Sequence, residues 1–273
     1  MSRVLGPLDP DRPEGRLRAQ LEDGTPVICA RHGQPEGITR DTLLERVREL
    51  AKIRHPNLLP VLGGGLRGES LWVFSEDDAG ISLERLLARH ALTPAQAVAV
   101  ALSVLTGLQA LQREGFGHGA IEPRNVHVAG FGQVRLMDYG MTARPEARAD
   151  VAAAGKLICA LFGVDKEKGT GGAPGRNERA FPGLVATALT IAGGNAGRSA
   201  TTALNMLTDA AGRLGSRGRV YLSIAELERL VGNERPAIRS AVDSVVTRRG
   251  PRLADIPAVA RKDSKQSSLP LAS

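Results

Sequence analysis

The chain has 273 residues, 42% of them hydrophobic, which is enough for one large domain or two modest ones with a sizeable core. Its two cysteines lie far apart in apolar runs, and its N-terminus lacks the apolar core of a signal peptide. These features exclude a disulfide scaffold and predict a cytoplasmic protein with no membrane segment. The net charge of +7 is uneven, because residues 215–273 hold eleven Arg and Lys against six Asp and Glu and so carry +5.

The first 80 residues predict a small β-sheet with one helix. An Asp-Gly pair at 23–24 predicts a hairpin between two short apolar runs. Apolar residues at helical spacing over 43–53 predict a helix that ends before a His-Pro pair. A second hairpin is predicted over 57–76, with the three glycines at 63–65 near its turn.

From residue 83 onward the pattern is mainly helical, with two short strands predicted between 125 and 140. Further helices are predicted over 150–163 and up to residue 214. A sheet followed by helices is the order of an α+β protein. We therefore expect a β-rich small lobe at 1–80 and a helical large lobe at 81–214.

One stretch, HGAIEPRNVHVAGFGQVRLMDYG at 118–140, resembles the catalytic segment of eukaryotic-like protein kinases, the Hanks-type Ser/Thr kinases of bacteria. The segments IRHPNLLPVL, LWVFSEDDAGISL and GRSATTALNML resemble further landmarks of that family in the same order. The resemblance covers residues 3–214 and implies a bilobal protein kinase-like fold.

The resemblance also implies that the chemistry of the family has been lost. Ala120 stands at the position of the catalytic acid, and alanine can neither accept a proton nor orient a hydroxyl group. Glu122 stands at the lysine position, where its negative charge would repel a phosphoryl group. No catalytic residue is therefore expected.

Other parts of a kinase site are missing as well. The phosphate-covering pattern G-x-G-x-x-G is absent from residues 6–18, and the strand VICARH has no lysine, so that Arg31 is its nearest cation. Arg46 stands where the helix of the small lobe normally carries a glutamate. Only nine residues, 141–149, replace the activation segment.

Asn125 and Asp138 match the two metal ligands of the family, which leaves open a residual site for ATP and Mg²⁺ that includes Arg31. The alternative is that Asn125 caps a turn and Asp138 pairs with a nearby Arg or Lys. We expect no required cofactor.

Three further positions match the family and are predicted to be structural. His118 and Tyr139 are expected to pack at the interface of the lobes. Asp150, at the start of a helix, resembles the aspartate that anchors the catalytic loop in the family.

Residues 215–252 are a basic segment, and their pattern predicts a helix, a turn at Gly232 and a second helix. This arrangement resembles the helix-turn-helix of winged-helix domains, in which Arg235, Arg239 and Arg248 would face DNA. The alternative is a helical hairpin packed on the large lobe. Residues 253–273 have the composition of a disordered tail.

Our first hypothesis is a catalytically inactive kinase homologue, a pseudokinase, that acts as a regulatory module through a protein partner. One alternative is a weak or atypical Ser/Thr phosphotransferase that depends on ATP and Mg²⁺. A second alternative is a DNA-binding transcriptional regulator with a kinase-like sensor body.

Overall fold

The computed structural model describes residues 3–9, 15–34, 37–129, 132–141, 146–164 and 181–212, together with Arg229 and Val231. Its N-terminal part is an antiparallel sheet with strand order β1-β2-β3-β5-β4 and one helix, α1, between β3 and β4. The elements are β1 Arg3–Pro7, β2 Leu17–Gln20, β3 Pro26–His32, α1 Arg40–Leu50, β4 Val61–Arg67 and β5 Ser70–Glu76. The predicted hairpin at 23–24 is confirmed, since β2 pairs with β3 and Gly24 has a φ of 84°.

The second hairpin is confirmed as β4 and β5, but the prediction for its turn was wrong. The turn lies at residues 68–69, where Gly68 has a φ of 57°, and the glycines at 63–65 lie inside β4. A Cβ on Gly64 would lie 2.6 Å from the carbonyl oxygen of Trp72 and 3.2 Å from Cγ1 of Val47. Gly64 therefore serves close packing of α1 on the strand rather than a change of chain direction.

The second part of the chain is mainly helical, as predicted, so the α+β fold class is confirmed. A short three-stranded sheet with order β6-β7-β8 lies beside the helices, and a single 3₁₀ turn, Pro123–Asn125, precedes β7. The elements are β6 Ile81–Ser82, α2 Leu83–Arg89, α3 Pro94–Arg113, β7 Val126–Val128, β8 Val134–Leu136, α4 Ala147–Leu161, α5 Pro182–Ala192 and α6 Ala200–Gly212.

Helix α3 is the central helix of the large lobe. Thr93 and Gln96 form a capping box at its start, and it packs against α4, α6 and β8. By length and composition α3 could cross a membrane, but 61% of its apolar window is buried inside the fold. Its apolar character is therefore accounted for by the core.

The predicted C-terminal helices lie outside the described residues, except for Arg229 and Val231. The predicted DNA-contacting residues Arg235, Arg239 and Arg248 are also outside them. Val231 is fully buried and belongs to the main hydrophobic core, whereas Arg229 is exposed. Of the two residues described in this region, Val231 therefore belongs to the core of the kinase-like body.

The contact between α4 and α5 generates a prediction about Gly155. A Cβ at this position would lie 2.6 Å from the Cα of Ala192, so the two helices can approach this closely only without a side chain there. We expect Gly155→Ala to lower the free energy of unfolding by about 1–3 kcal/mol, measured by urea denaturation.

The matched control is Gly183→Ala in α5, where the added methyl group would meet no atom within 4 Å. We expect this variant to be unchanged or stabilised by up to about 1 kcal/mol, because alanine favours a helix. Equal effects of the two substitutions would contradict the close helix contact.

Candidate functional site

The frame of the candidate site is a loop held by Asp150 of α4. Its two carboxylate oxygens accept hydrogen bonds from the backbone N–H groups of His118 and Gly119, both at 2.7 Å. Burial raises the pKa of Asp150, while these two hydrogen bonds act in the opposite direction. Asp150 therefore links α4 directly to the loop that begins at His118.

His118 and Tyr139 are buried in this frame. Nδ1 of His118 accepts a hydrogen bond from the backbone of Ala120 at 3.2 Å, and burial lowers the pKa of His118 to about 4. The hydroxyl of Tyr139 donates to the carbonyl oxygen of Leu59 at 2.8 Å, and burial raises the pKa of its phenol. The backbone N–H of Gly140 donates to the carbonyl of His118 at 3.3 Å, which joins the two segments.

The side chain of Arg16 lies between Asn125 and Asp138. Its Nε donates to Oδ2 of Asp138 at 2.6 Å, its Nη1 donates to the carbonyl oxygen of Arg124 at 2.8 Å, and its Nη2 donates to Oδ1 of Asn125. Asp138 has a φ of 57°, in the left-handed region that residues other than glycine adopt uncommonly, and its carboxylate forms an ion pair with Arg16. The guanidinium group thus joins the first hairpin of the small lobe to both sequence-predicted metal ligands.

Asn125 also closes the loop that contains Ala120. Its Nδ2 donates to the carbonyl oxygen of Ala120 at 2.7 Å, and its backbone N–H donates to the carbonyl of Glu122 at 2.9 Å. The carboxylate of Glu122 pairs with Nε of Arg124 at 2.5 Å. The side-chain amide of Asn125 and the carboxylate of Glu122 therefore both have partners within the protein.

These residues, as arranged, do not fit a magnesium ion. Mg²⁺ requires oxygen ligands in octahedral geometry at about 2.0–2.1 Å. The oxygens of Asn125 and Asp138 instead surround the Arg16 guanidinium, which already supplies a positive charge to the carboxylate. A divalent ion would have to displace Arg16 before it could use Oδ1 of Asn125 or Oδ2 of Asp138.

A second arginine, Arg18 of β2, contacts the link between β5 and β6, residues 77–80. It is 6% exposed, and its Nη1 donates to both carboxylate oxygens of Asp77 at 2.9 Å. Its Nη2 donates to the carbonyl oxygen of Gly80. We define the arginine clasp as Arg16 and Arg18 together with the residues that they bind, which are Asp77, Gly80, Arg124, Asn125 and Asp138.

The inner end of the cleft is filled by apolar side chains from both lobes. Leu8, Ile28, Leu59 and Met137 form a separate cluster in which none is more than 2% exposed. A cavity of about 460 Å³ remains beside Arg16, and its walls include charged side chains of both signs. Ligand pockets of this size are usually lined mainly by apolar side chains.

Arg31 borders this cavity, but its side chain belongs to the opposite face of β3. Side chains alternate along a strand, so Ile28, Ala30 and His32 share the cleft face, while Arg31 shares the outer face with Val27 and Cys29. The cation that contacts Asn125 and Asp138 is therefore Arg16, and Arg31 does not take the lysine's place. His32 is a further basic side chain near that carboxylate, with its Nε2 3.8 Å from Oδ1 of Asp138.

Sequence reasoning missed Arg16 and Arg18, although the sequence carries a signal for them. The stretch GRLR places two arginines two residues apart at the start of a predicted strand, and this spacing directs both side chains to one face. Arg46 stands at the helix position where the family normally carries a glutamate. Its Nη1 donates to the carbonyl oxygen of Gly140 at 3.3 Å.

The sequence profile of the protein tyrosine and serine/threonine kinase family matches residues 20–160. The serine/threonine-protein kinase PknL of Mycobacterium bovis is 31% identical over 134 residues, which cover 48% of this chain and 33% of that protein. The serine/threonine-protein kinase pakA of Talaromyces marneffei is 29% identical over 105 residues, which cover 38% of this chain and 16% of that protein. The chain thus spans a third or less of these relatives.

Among solved structures, the PknI kinase domain of Mycobacterium tuberculosis is similar, with a TM-score of 0.56 and 18% sequence identity. The similarity covers 72% of this chain and 90% of that domain. At this identity the comparison establishes the fold, a small lobe with an antiparallel sheet followed by a helical lobe.

Burial of His118 generates a prediction about pH. Its pKa is depressed in the folded protein, so the unfolded chain binds a proton first as the pH falls. The contribution of neutral His118 to the free energy of unfolding is fully present above about pH 6.5. It is lost progressively toward pH 4, by up to about 3 kcal/mol. We expect His118→Asn, whose Oδ1 can still accept from Ala120, to lose less stability over this range, measured by urea denaturation at each pH.

His55→Asn is the matched control. Nδ1 of His55 also accepts a backbone hydrogen bond, from Asn57 at 3.1 Å, but this ring is less deeply buried. We expect its pH dependence to stay close to that of the unmodified protein. A His118→Asn profile parallel to that of the unmodified protein would rule out His118 as the source of acid sensitivity.

Proposed function

Because this chain belongs to the protein tyrosine and serine/threonine kinase family, we propose that it is a catalytically inactive member, a pseudokinase, that works as a regulatory module by binding a protein partner. The observation that carries this proposal is the position of Arg16. Its guanidinium group is bonded to Asn125 and Asp138, the two residues that match the metal ligands of the family.

The losses around the site support the same proposal. Phosphoryl transfer depends on positioning the acceptor hydroxyl and on stabilising charge on the transferred group. Ala120 offers no acid for the first task, and Glu122 adds a negative charge where a cation is needed for the second. Ala30 and His32 are the cleft-facing residues at the end of β3, and neither supplies a lysine.

The arginine clasp suggests how the protein works without a nucleotide. Arg16 joins the small lobe to the loop at 124–125 and to Asp138, and Arg18 joins β2 to the link at 77–80. Internal side chains therefore hold the two lobes together. A fixed arrangement of lobes presents a constant surface, which is what a protein-binding module requires.

We expect Mg²⁺ and ATP to leave the unfolding temperature of the protein unchanged, and purified protein to transfer no labelled phosphate. A ligand at 100 times its dissociation constant would contribute about 2.7 kcal/mol, which a thermal-shift titration detects readily. We expect Asp138→Asn to lower the free energy of unfolding by about 1–3 kcal/mol in the absence of ligands, because Arg16 loses its charged partner.

Asp209→Asn on the exposed face of α6 is the matched control and should cost little stability. The competing hypothesis is a weak phosphotransferase that uses Asn125 and Asp138 with Mg²⁺. It would be supported by phosphate transfer, or by stabilisation with ATP and Mg²⁺, that Asp138→Asn abolishes.

A second candidate function, DNA binding, is favoured by the charge distribution. Residues 215–273 carry +5 of the net charge of +7. A basic segment of this kind binds the phosphate backbone by releasing counterions, so its affinity falls steeply with salt. In this candidate the kinase-like body would sense a ligand or partner and the C-terminal helices would bind DNA.

We expect a variant with Arg235, Arg239 and Arg248 all changed to Gln to bind duplex DNA more weakly. The slope of log affinity against log salt should fall by about 2–3. Fluorescence anisotropy over a salt series measures both quantities. The control changes three exposed arginines of the kinase-like body, Arg40, Arg113 and Arg198, to Gln. Absence of salt-sensitive binding in the unmodified protein would exclude this candidate.

A further inference from the structure

Two adjacent aspartates in the link between β5 and β6 bind to different lobes. Both carboxylate oxygens of Asp77 accept from Arg18 of β2, in the small lobe. Oδ1 of Asp78 instead bonds to Nε2 of His127 in β7 at 2.5 Å, and its Oδ2 accepts from Nη1 of Arg135 in β8 at 3.0 Å. One carboxylate therefore holds the link to the N-terminal sheet, and the next holds it to the β7–β8 hairpin of the large lobe.

Asp78 lies between two side chains that are opposite each other in the β7–β8 hairpin. His127 and Arg135 are paired in register, and directly opposite residues of an antiparallel pair point to the same face. Since a carboxylate can only accept hydrogen bonds, Nε2 of His127 carries a hydrogen, and Arg135 also donates. The two oxygens of Asp78 thus bind one donor from each strand and hold the two strands together.

This contact is buried and charged. The side chain of Asp78 is 5% exposed, and that of His127 is fully buried. Within the described part of the chain, Nδ1 of His127 has no hydrogen-bond partner, so the bond to Asp78 is the one that its ring donates. Burial raises the pKa of Asp78, but the bond to His127 and the charge of Arg135 outweigh burial and hold that pKa below its ordinary value. The carboxylate is therefore ionised at neutral pH, which strengthens both hydrogen bonds.

The hairpin that Asp78 holds carries the two cleft residues at its ends. Asn125 directly precedes β7, and Asp138 is the second residue after β8. The backbone N–H of Met137 donates to the carbonyl of Asn125 at 3.0 Å, which keeps the two ends together. Both cleft residues bind Arg16. A shift of the hairpin would therefore alter the contact with Arg16, although the printed distances join Asp78 only to the middle of the hairpin.

The backbone of the link is held in an uncommon conformation. Ala79 is exposed and has a φ of 58°, in the left-handed region, and its N–H donates to Oδ1 of Asp77 at 2.9 Å. A Cβ on Gly80 would lie 2.5 Å from Nε2 of His127, so the link packs closely on β7. A residue in this conformation persists where surrounding contacts determine it. Loss of the contact made by Asp78 would therefore allow the backbone at Ala79 to relax.

We propose that Asp78 is a positioning residue that couples the link at 77–80 to the contact of Arg16 with Asn125 and Asp138. While Asp78 binds the hairpin, the hairpin presents both cleft residues to Arg16. Displacement of the link removes Asp78, the hairpin shifts, and the contact with Arg16 weakens. The link is thus a point from which the cleft can be regulated. This coupling uses only side chains of the chain itself, so its test does not depend on whether the protein transfers phosphate.

The test measures hydrogen exchange of the Arg16 Nε–H group by NMR of the isotope-labelled full-length protein. This hydrogen is bonded to Oδ2 of Asp138, so its exchange with water reports local opening of that contact. The signal is assigned by its loss in Arg16→Lys. We expect Asp78→Asn to speed the exchange about tenfold, because an amide has one acceptor oxygen and cannot bind both His127 and Arg135. Unchanged exchange in a folded Asp78→Asn protein would overturn the proposal.

A second variant and two controls separate this coupling from a general loss of stability. Arg135→Gln removes the charged donor to Asp78 and should speed the exchange in the same direction, which keeps the test valid if Asp78→Asn does not fold. Glu45→Gln removes an exposed carboxylate that also pairs with an arginine, at 2.9 Å, and should leave the exchange unchanged. Gly155→Ala lowers global stability far from the cleft and should leave it unchanged as well. Equal acceleration in Gly155→Ala would overturn the proposal.

Coupling between two sites is reciprocal, which gives an independent measurement. Asp138→Asn weakens the contact with Arg16 and should speed exchange of the ring N–H of His127, which is bonded to Asp78. Circular dichroism checks that each variant is folded. If exchange at His127 is the same in folded Asp138→Asn and in the unmodified protein, the two sites are independent and the proposal is wrong.

Discussion

The contact between Arg16 and the pair Asn125 and Asp138 is the constraint on which the cleft depends. A carboxylate and an amide oxygen that face the same space favour a charged donor between them, and here that donor is Arg16, the residue just before β2. The same guanidinium binds the carbonyl of Arg124, so one side chain fixes two loops of the large lobe and the hairpin of the small lobe.

The surrounding frame persists because most of its bonds use the backbone. Asp150 accepts from two backbone N–H groups, the hydroxyl of Tyr139 donates to a backbone carbonyl, and the backbone N–H of Met137 donates to the carbonyl of Asn125 at 3.0 Å. None of these bonds involves Ala120 or the carboxylate of Glu122. Residues that serve phosphoryl transfer can therefore change while the geometry of the loop is conserved by other contacts.

Local patterns in the sequence predicted the order of strands and helices, including the turn at Asp23-Gly24, because hairpins and helices depend on residues close along the chain. The prediction that the turn lies near Gly64 was wrong, because Gly64 leaves room for Val47 of α1 to pack on the strand. Arg16 was missed for a related reason. Its partners are 109 and 122 residues away, and a local pattern places an arginine on a strand face without identifying its distant partner.

An arginine that belongs to the chain has consequences that a dissolved ion does not. Arg16 reaches Asp138 as an intramolecular ligand, so its effective concentration is on the order of millimolar or more and does not vary with the surroundings. Any free cation or nucleotide must compete against that fixed value. If the protein acts as we propose, this internal ligand makes the state of its cleft independent of cellular magnesium and energy status.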